Sequence, residues 1–218
     1  MASKRSSSRR SRSHRTKIVW GIFALAIAAV TGGLALVKQS SPHAGFLLTN
    51  IDTIGQAPQN DAILQTRTPL DRQRWNSIVI HHSGTPGGDA ESLTREHVAL
   101  GLKGLGYHFV IGNGSGLGDG VVHVGYRWID QLPGAHVSGP RQVEYNERSI
   151  AICLVGNGDK RPFTDRQKSQ LVSLIQRLQA ELNIPARNVY LHRDLSRVTS
   201  SPGRFFPAAW LQDQLLQQ

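Results

Sequence analysis

Asn188 to Pro207 read NVYLHRDLSRVTSSPGRFFP, and the reading of the chain turns on this stretch. A β-branched and aromatic run, Val189-Tyr190-Leu191, leads into His192, and a polar loop then closes at Ser201-Pro202-Gly203. A strand, a histidine at its end and a Pro-Gly turn place an imidazole at a sheet rim, where ligand-binding groups concentrate. Trp75 to Ser83, WNSIVIHHS, repeats the pattern, with an apolar strand running into His81 and His82. Two strands that each end in histidine can bring two imidazoles together, the geometry of a zinc site with an open position.

Between these stretches the periodicities predict alternating strands and helices. Ser77–His81 reads as a buried strand, and Asp89 as the cap of a helix over Ala90–Leu102 with Leu93, His97, Val98 and Leu102 near one face. His97 has no ligand pattern near it and reads as a packing residue. Tyr107–Ile111 is the second strand. Gly112–Gly120, GNGSGLGDG, matches no phosphate-binding motif and is followed by a strand, so it reads as a glycine-rich hairpin into Val121–Trp128. His123 alternates within that strand. Ser149–Val155 is the most apolar strand and is expected at the sheet centre. Phe163–Asn183 is the clearest helix, with a Thr164/Gln167 capping box and a stripe of Leu171, Val172, Leu174, Ile175, Leu178 and Leu182. Pro207 opens a final helix. The alternation indicates an α/β sheet with helices packed on it.

In order along the chain stand VIHHS (Val79–Ser83), GYHFVI (Gly106–Ile111), GAH (Gly134–His136), YNERSIAICLVGN (Tyr145–Asn157) and HRD…SPGRFFP (His192–Pro207). This series resembles the peptidoglycan recognition protein and type 2 N-acetylmuramoyl-L-alanine amidase family, over roughly Arg74 to Leu215. The resemblance implies a mixed central β-sheet flanked by about three helices, and a domain over 74–218. It further implies zinc held by His81, His192 and Ser201, with His82 facing the other way because adjacent strand residues alternate. The loop from His192 to Ser201 is one residue longer than the family's usual one, so Ser200 is the alternative third donor. By the same resemblance Tyr107 supplies an oxyanion donor, helped by Thr199. Arg127, His136, Asn146 and Arg204 are candidates for holding glycan or stem-peptide groups. The implied reaction is hydrolysis of the amide between N-acetylmuramic acid and L-alanine, using a water whose pKa zinc lowers to about 7.

One departure bears on the chemistry. Active members carry cysteine or aspartate before the Pro-Gly, and this chain carries Ser201. A neutral hydroxyl replaces a charged donor, so zinc is expected to bind weakly, or not at all if Ser201 cannot ligate. Recognition members with this serine bind peptidoglycan without cutting it, which makes a muropeptide-binding pseudo-amidase the alternative. Asp194, two residues from His192, is a further carboxylate that could compensate or could simply cap its loop. Cys153, the only cysteine, reads as a small core residue and stands where one branch has a catalytic glutamate.

The net charge of +10 belongs mostly to one end. Residues 1–17 hold seven of the 25 Lys/Arg and none of the 15 acids, and their Ser/Arg composition predicts a disordered tail. Ile18–Val37 is a run of twenty uncharged residues, long enough as a helix to span a bilayer core of ~30 Å. Its length favours an uncleaved anchor over a cleaved signal peptide. The cations before it predict a single-pass membrane protein with its N-terminus cytoplasmic and the amidase domain extracytoplasmic. That orientation also accounts for the basic tail without invoking nucleic acid or acidic lipid as its partner. Lys38–Gln73 lacks a sustained period and reads as a linker. One cysteine allows no intrachain disulfide.

Overall fold

The computed structural model of the protein describes residues 63–216. The expected tail over 1–17, the anchor over 18–37 and most of the linker over 38–73 lie outside them. Among the described residues no helix is long and apolar enough to cross a membrane. In chain order the elements are β1 (Ser77–His82), α1 (Ala90–Ala99), β2 (Phe109–Ile111), β3 (Val122–Val124), α2 (Tyr126–Ile129) and α3 (Gln142–Arg148). They continue with β4 (Ser149–Leu154), α4 (Asp165–Leu182), a 3-10 turn (Ala186–Asn188), β5 (Val189–Leu191), α5 (His192–Leu195) and α6 (Ala208–Leu216).

The five strands form one sheet in the order β3-β2-β4-β1-β5. β4 is central, as its unbroken apolar run requires of a strand covered on both faces. It pairs parallel with β1 and β2, β1 pairs parallel with β5, and only the β2–β3 hairpin is antiparallel. The sheet is therefore mixed, and among the described residues three helices exceed two turns: α1, α4 and α6.

Alternation sorts the side chains into two layers. Ile78, Ile80, Ile150, Ile152 and Leu154 face α4 and pack against Leu171, Leu174, Ile175 and Leu178. α4 starts where its capping box dictates, the Thr164 hydroxyl accepting from the Gln167 N–H at 3.0 Å, and it ends at Asn183 in a left-handed conformation. On the opposite face, Val110, Cys153 and Val155 pack under Leu93 of α1, and Val79 packs under Val137 and Tyr145. His81 pairs in register with Cys153, which pairs with Val110, so His81 belongs to this second face.

Three expectations are corrected. The helix from Ala90 stops at Ala99, where Gly101 takes a positive φ of +87°, and Val98 is left 54% exposed instead of joining the core. The strand expected over Val121–Trp128 breaks at Gly125, where a Cβ would lie 2.8 Å from the Tyr107 carbonyl oxygen. The chain then turns into α2 and buries Trp128 against Phe109 and Trp75. His192 opens the single turn of α5 instead of ending a strand.

Candidate active site

β1 and β5 run parallel as neighbours, so their C-terminal ends meet at one rim. That topology brings the His81 and His192 rings to a centroid separation of 4.4 Å. Tyr107, just before β2, lies 5.2 Å from His81 on the same face. His136 joins them, its Nδ1 3.0 Å from His81 Nε2 with the two rings nearly perpendicular. Nothing in the sequence spacing places His136 beside His81. The contact arises because α3 and the loop before it pack over Val79.

Burial governs the ionisation here. Burial first, then His136 and His192, hold His81 well below the usual histidine range. Burial, then His108 and His192, lower His136 in the same way. His192 falls to about 4, chiefly by burial and secondarily through His82. At neutral pH the three rings are uncharged and each keeps one lone pair, the state in which imidazole binds a metal. The buried Nε2 of His192 has no hydrogen-bond partner, an orphan that a ligand could satisfy.

Tyr107 is pushed well above its ordinary value by burial and then by Cys153, so the phenol stays protonated. It packs against the Cys153 thiol. A thiol is a weak hydrogen-bonding neighbour, so little holds the phenol O–H back from a developing oxyanion. From the sequence Cys153 reads as a small core residue at the position where one branch has a glutamate. Its place under Tyr107 follows from the β2–β4 register, which no local pattern displays. His97, read as a packing residue, does pack, its ring 5.0 Å from that of Tyr107. Its Nδ1 also accepts from the Gly106 N–H at 2.8 Å, which anchors the residue preceding Tyr107.

Ser201 is buried, and its hydroxyl accepts from the His82 N–H at 3.0 Å. The other serine, Ser200, is exposed and donates to Asp159. His82 faces away, as alternation requires, and accepts at Nδ1 from the Gly158 N–H. Thr199 accepts from the Ser201 N–H at 3.1 Å and so orders the loop. Asp194 accepts from the Leu191 N–H, a cap on its own turn, so the structure offers no support for it as a compensating ligand.

The candidate substrate contacts divide. The Arg127 side chain is turned inward, donating from Nε to the Leu105 carbonyl at 2.7 Å and from another guanidinium nitrogen to the Pro133 carbonyl. Asn146 spends both lone pairs of its side-chain oxygen on the N–H groups of His136 and Val137. Neither side chain is presented to a ligand as expected. Each is occupied in shaping the wall of the site. Arg204 is exposed, with its guanidinium over the Phe205 ring.

Two neutral imidazoles suit zinc, and the hydroxyl expected as third donor is a weak one already engaged with backbone. Among the described residues no group of three or more His, Cys, Asp or Glu is arranged to hold a metal. The donor set therefore fits zinc at His81 and His192 and is poor at Ser201.

A sheet rim with paired imidazoles beside a protonated phenol defines a hydrolase-type or ligand-binding site. The profile of the N-acetylmuramoyl-L-alanine amidase family matches residues 71–204, and the chain belongs to that family. Among solved structures it is similar to the N-acetylmuramoyl-L-alanine amidase LysC from Clostridium intestinale, at 28% identity and TM-score 0.57, over 69% of this chain and 92% of that one. It is also similar to the ectodomain complex of peptidoglycan recognition proteins LCa and LCx bound to tracheal cytotoxin, at 28% identity and TM-score 0.51, over 66% and 86%. Bumblebee PGRP-SA shares the fold, at 24% identity and TM-score 0.50, over 66% and 81%. A comparison with curated proteins returned no match.

Proposed function

We propose that this domain binds peptidoglycan at the junction of N-acetylmuramic acid and its stem peptide, and hydrolyses the amide to L-alanine. The observation that carries the reading is the convergence of His81, His192 and Tyr107 on one face at the rim, with ring centroids 4.4 and 5.2 Å from His81. The imidazoles of His81 and His192 would hold zinc, which when bound supplies a Lewis acid and lowers the pKa of water. Tyr107, protonated and packed beside the Cys153 thiol, turns its O–H to the oxygen that gains charge as the amide carbonyl is attacked. Burial around the rings excludes water and strengthens that donation. Thr199 holds the loop that carries Ser201, and the exposed Arg204 is placed to meet a stem-peptide carboxylate. Residues 18–37 would tether the domain to a membrane, with the basic tail inside and the domain on the cell-wall side.

A second reading, recognition without cleavage, is favoured by one observation: Ser201 brings no charge, and its hydroxyl accepts from the His82 N–H. Incubating the full-length protein with muropeptides and zinc, and following both binding and release of free stem peptide, separates the two. Release that stops on chelation supports the amidase. Binding without release at saturating zinc selects recognition, and the absence of both ends either reading.

A further inference from the structure

We infer that His97 is a positioning residue for Tyr107: from the last turn of α1, its ring holds the main chain before the tyrosine and packs beside the phenol. The inference rests on the reading of Tyr107 as the oxyanion donor.

Tyr107 lies two residues ahead of β2, so strand pairing does not by itself set its place. After it, the His108 N–H donates to the Ala151 carbonyl at 3.0 Å, and the His108 carbonyl accepts from the Gly125 N–H at 2.8 Å. Before it stands the buried Gly106. The Gly106 carbonyl accepts from the Ala135 N–H at 3.0 Å, and the Gly106 N–H donates to His97 Nδ1 at 2.8 Å. Little room is left to slip, since a Cβ on Gly106 would stand 2.3 Å from the Ala135 carbonyl oxygen and 3.4 Å from His97 Cε1. Three of these four bonds join backbone to backbone. The fourth ends on a side chain, so His97 is where a substitution reaches the tyrosine through hydrogen bonding.

His97 is itself held firmly. Its carbonyl accepts from the N–H groups of Leu100 and Leu102 at 3.1 and 3.0 Å, which closes the C-terminus of α1. A backbone N–H can only donate, so Nδ1 is the acceptor and a neutral His97 carries its proton on Nε2. The same ring lies 5.0 Å from the Tyr107 ring, at an interplanar angle of 59°. The His81 ring lies 5.2 Å from it at 48°, and the phenol packs on the apolar cluster that contains Leu93, Leu105 and Cys153. An apolar side chain at position 97 could fill the space but could not accept from Gly106, and a buried donor without an acceptor is costly. The main chain would shift to find another partner and carry Tyr107 with it. Misplacing a reacting group by about 1 Å can cost about 100-fold in rate.

Asparagine puts its side-chain oxygen near the position of Nδ1, whereas glutamine reaches the position of Nε2. His97→Asn therefore keeps the acceptor and His97→Gln loses it. With full-length protein, muropeptides and zinc, His97→Gln is expected to lower kcat about 10- to 100-fold and to leave KM within about threefold. His97→Asn should recover most of that loss. In the Tyr107→Phe background His97→Gln should cost little more, because its effect runs through the phenol. Unchanged kcat in His97→Gln, equal losses in the two variants, or an undiminished loss in the Tyr107→Phe background overturns the inference. If the wild type cleaves nothing, the amidase reading alone falls, and fluorine NMR of protein labelled with 3-fluorotyrosine decides. The Tyr107 signal, assigned by its absence in Tyr107→Phe, should move or broaden in His97→Gln and hold its wild-type position in His97→Asn. The same behaviour in both variants overturns the inference. If His97→Gln does not fold, scalar coupling between the Gly106 N–H and His97 Nδ1 in the wild type supports the inference, and its absence overturns it.

Discussion

At the scale of single residues, the proposed chemistry is tested at Tyr107 and Ser201. The Tyr107 phenol is held protonated by burial and by Cys153, so it can donate throughout the neutral range. Tyr107→Phe removes one donor and no packing, and is expected to lower kcat on muropeptides about 100- to 1000-fold with the fold intact. Circular dichroism beside the turnover assay checks both halves. Ser201 is the opposite case, a buried hydroxyl tied to the His82 N–H. Ser201→Cys offers a thiolate to zinc and should tighten its binding by roughly tenfold or more. The same change loses a good acceptor for the His82 N–H, at about 1 kcal/mol in the metal-free state. Calorimetric zinc titration and urea unfolding measure the two effects separately. A variant that gains stability but no zinc would show that this position does not face the metal.

At the scale of elements, α4 and β1 show how local rules fix the frame. The start of α4 rests on Thr164, whose hydroxyl accepts from the Gln167 N–H while the Gln167 side chain returns to the Thr164 N–H. Thr164→Ala is expected to cost about 1 kcal/mol, read from the urea midpoint. β1 divides its side chains by alternation: Ile78 and Ile80 serve the α4 core, and Val79 and His81 serve the face that carries the site. The cap, the stripe of α4 and the alternation of β1 are all legible in the sequence because each depends on neighbours three or four positions away, or two. The stop at Gly125 is not. It follows from the approach of the Tyr107 carbonyl, an atom eighteen positions upstream, and only packing brings it there.

At the scale of the whole molecule, the buried histidines make the fold sensitive to acid. His108 Nδ1 accepts from the Ala151 N–H at 2.9 Å, so protonating it would set two donors against each other inside the sheet. Burial lowers His108 to about 3, against about 6.5 in an unfolded chain. Between those values the unfolded state binds a proton that the folded state refuses, so stability is full above pH 6.5 and falls as pH drops. His192, lowered to about 4, acts in the same sense over the upper part of that window. Urea unfolding at a series of pH values should give a slope of about 1.4 kcal/mol per pH unit for each such histidine. His108→Gln should remove one histidine's share of that slope, and an unchanged slope would show that His108 is not held neutral.

The sequence by itself determined the order of the five strands and of the three longer helices α1, α4 and α6, the caps, the central place of β4 and the pairing of two strands that lead into histidine. These are properties of local periodicity and of five ordered motifs. The tertiary structure decided the rest. It turned Arg127 and Asn146 inward, set His136 against His81, packed Cys153 against Tyr107 and engaged Ser201 with the backbone of β1. The contacts of His81, Ser201 and Cys153 join residues far apart in the chain. Their distances follow from strand order and register, which emerge only when separate segments bury a common surface.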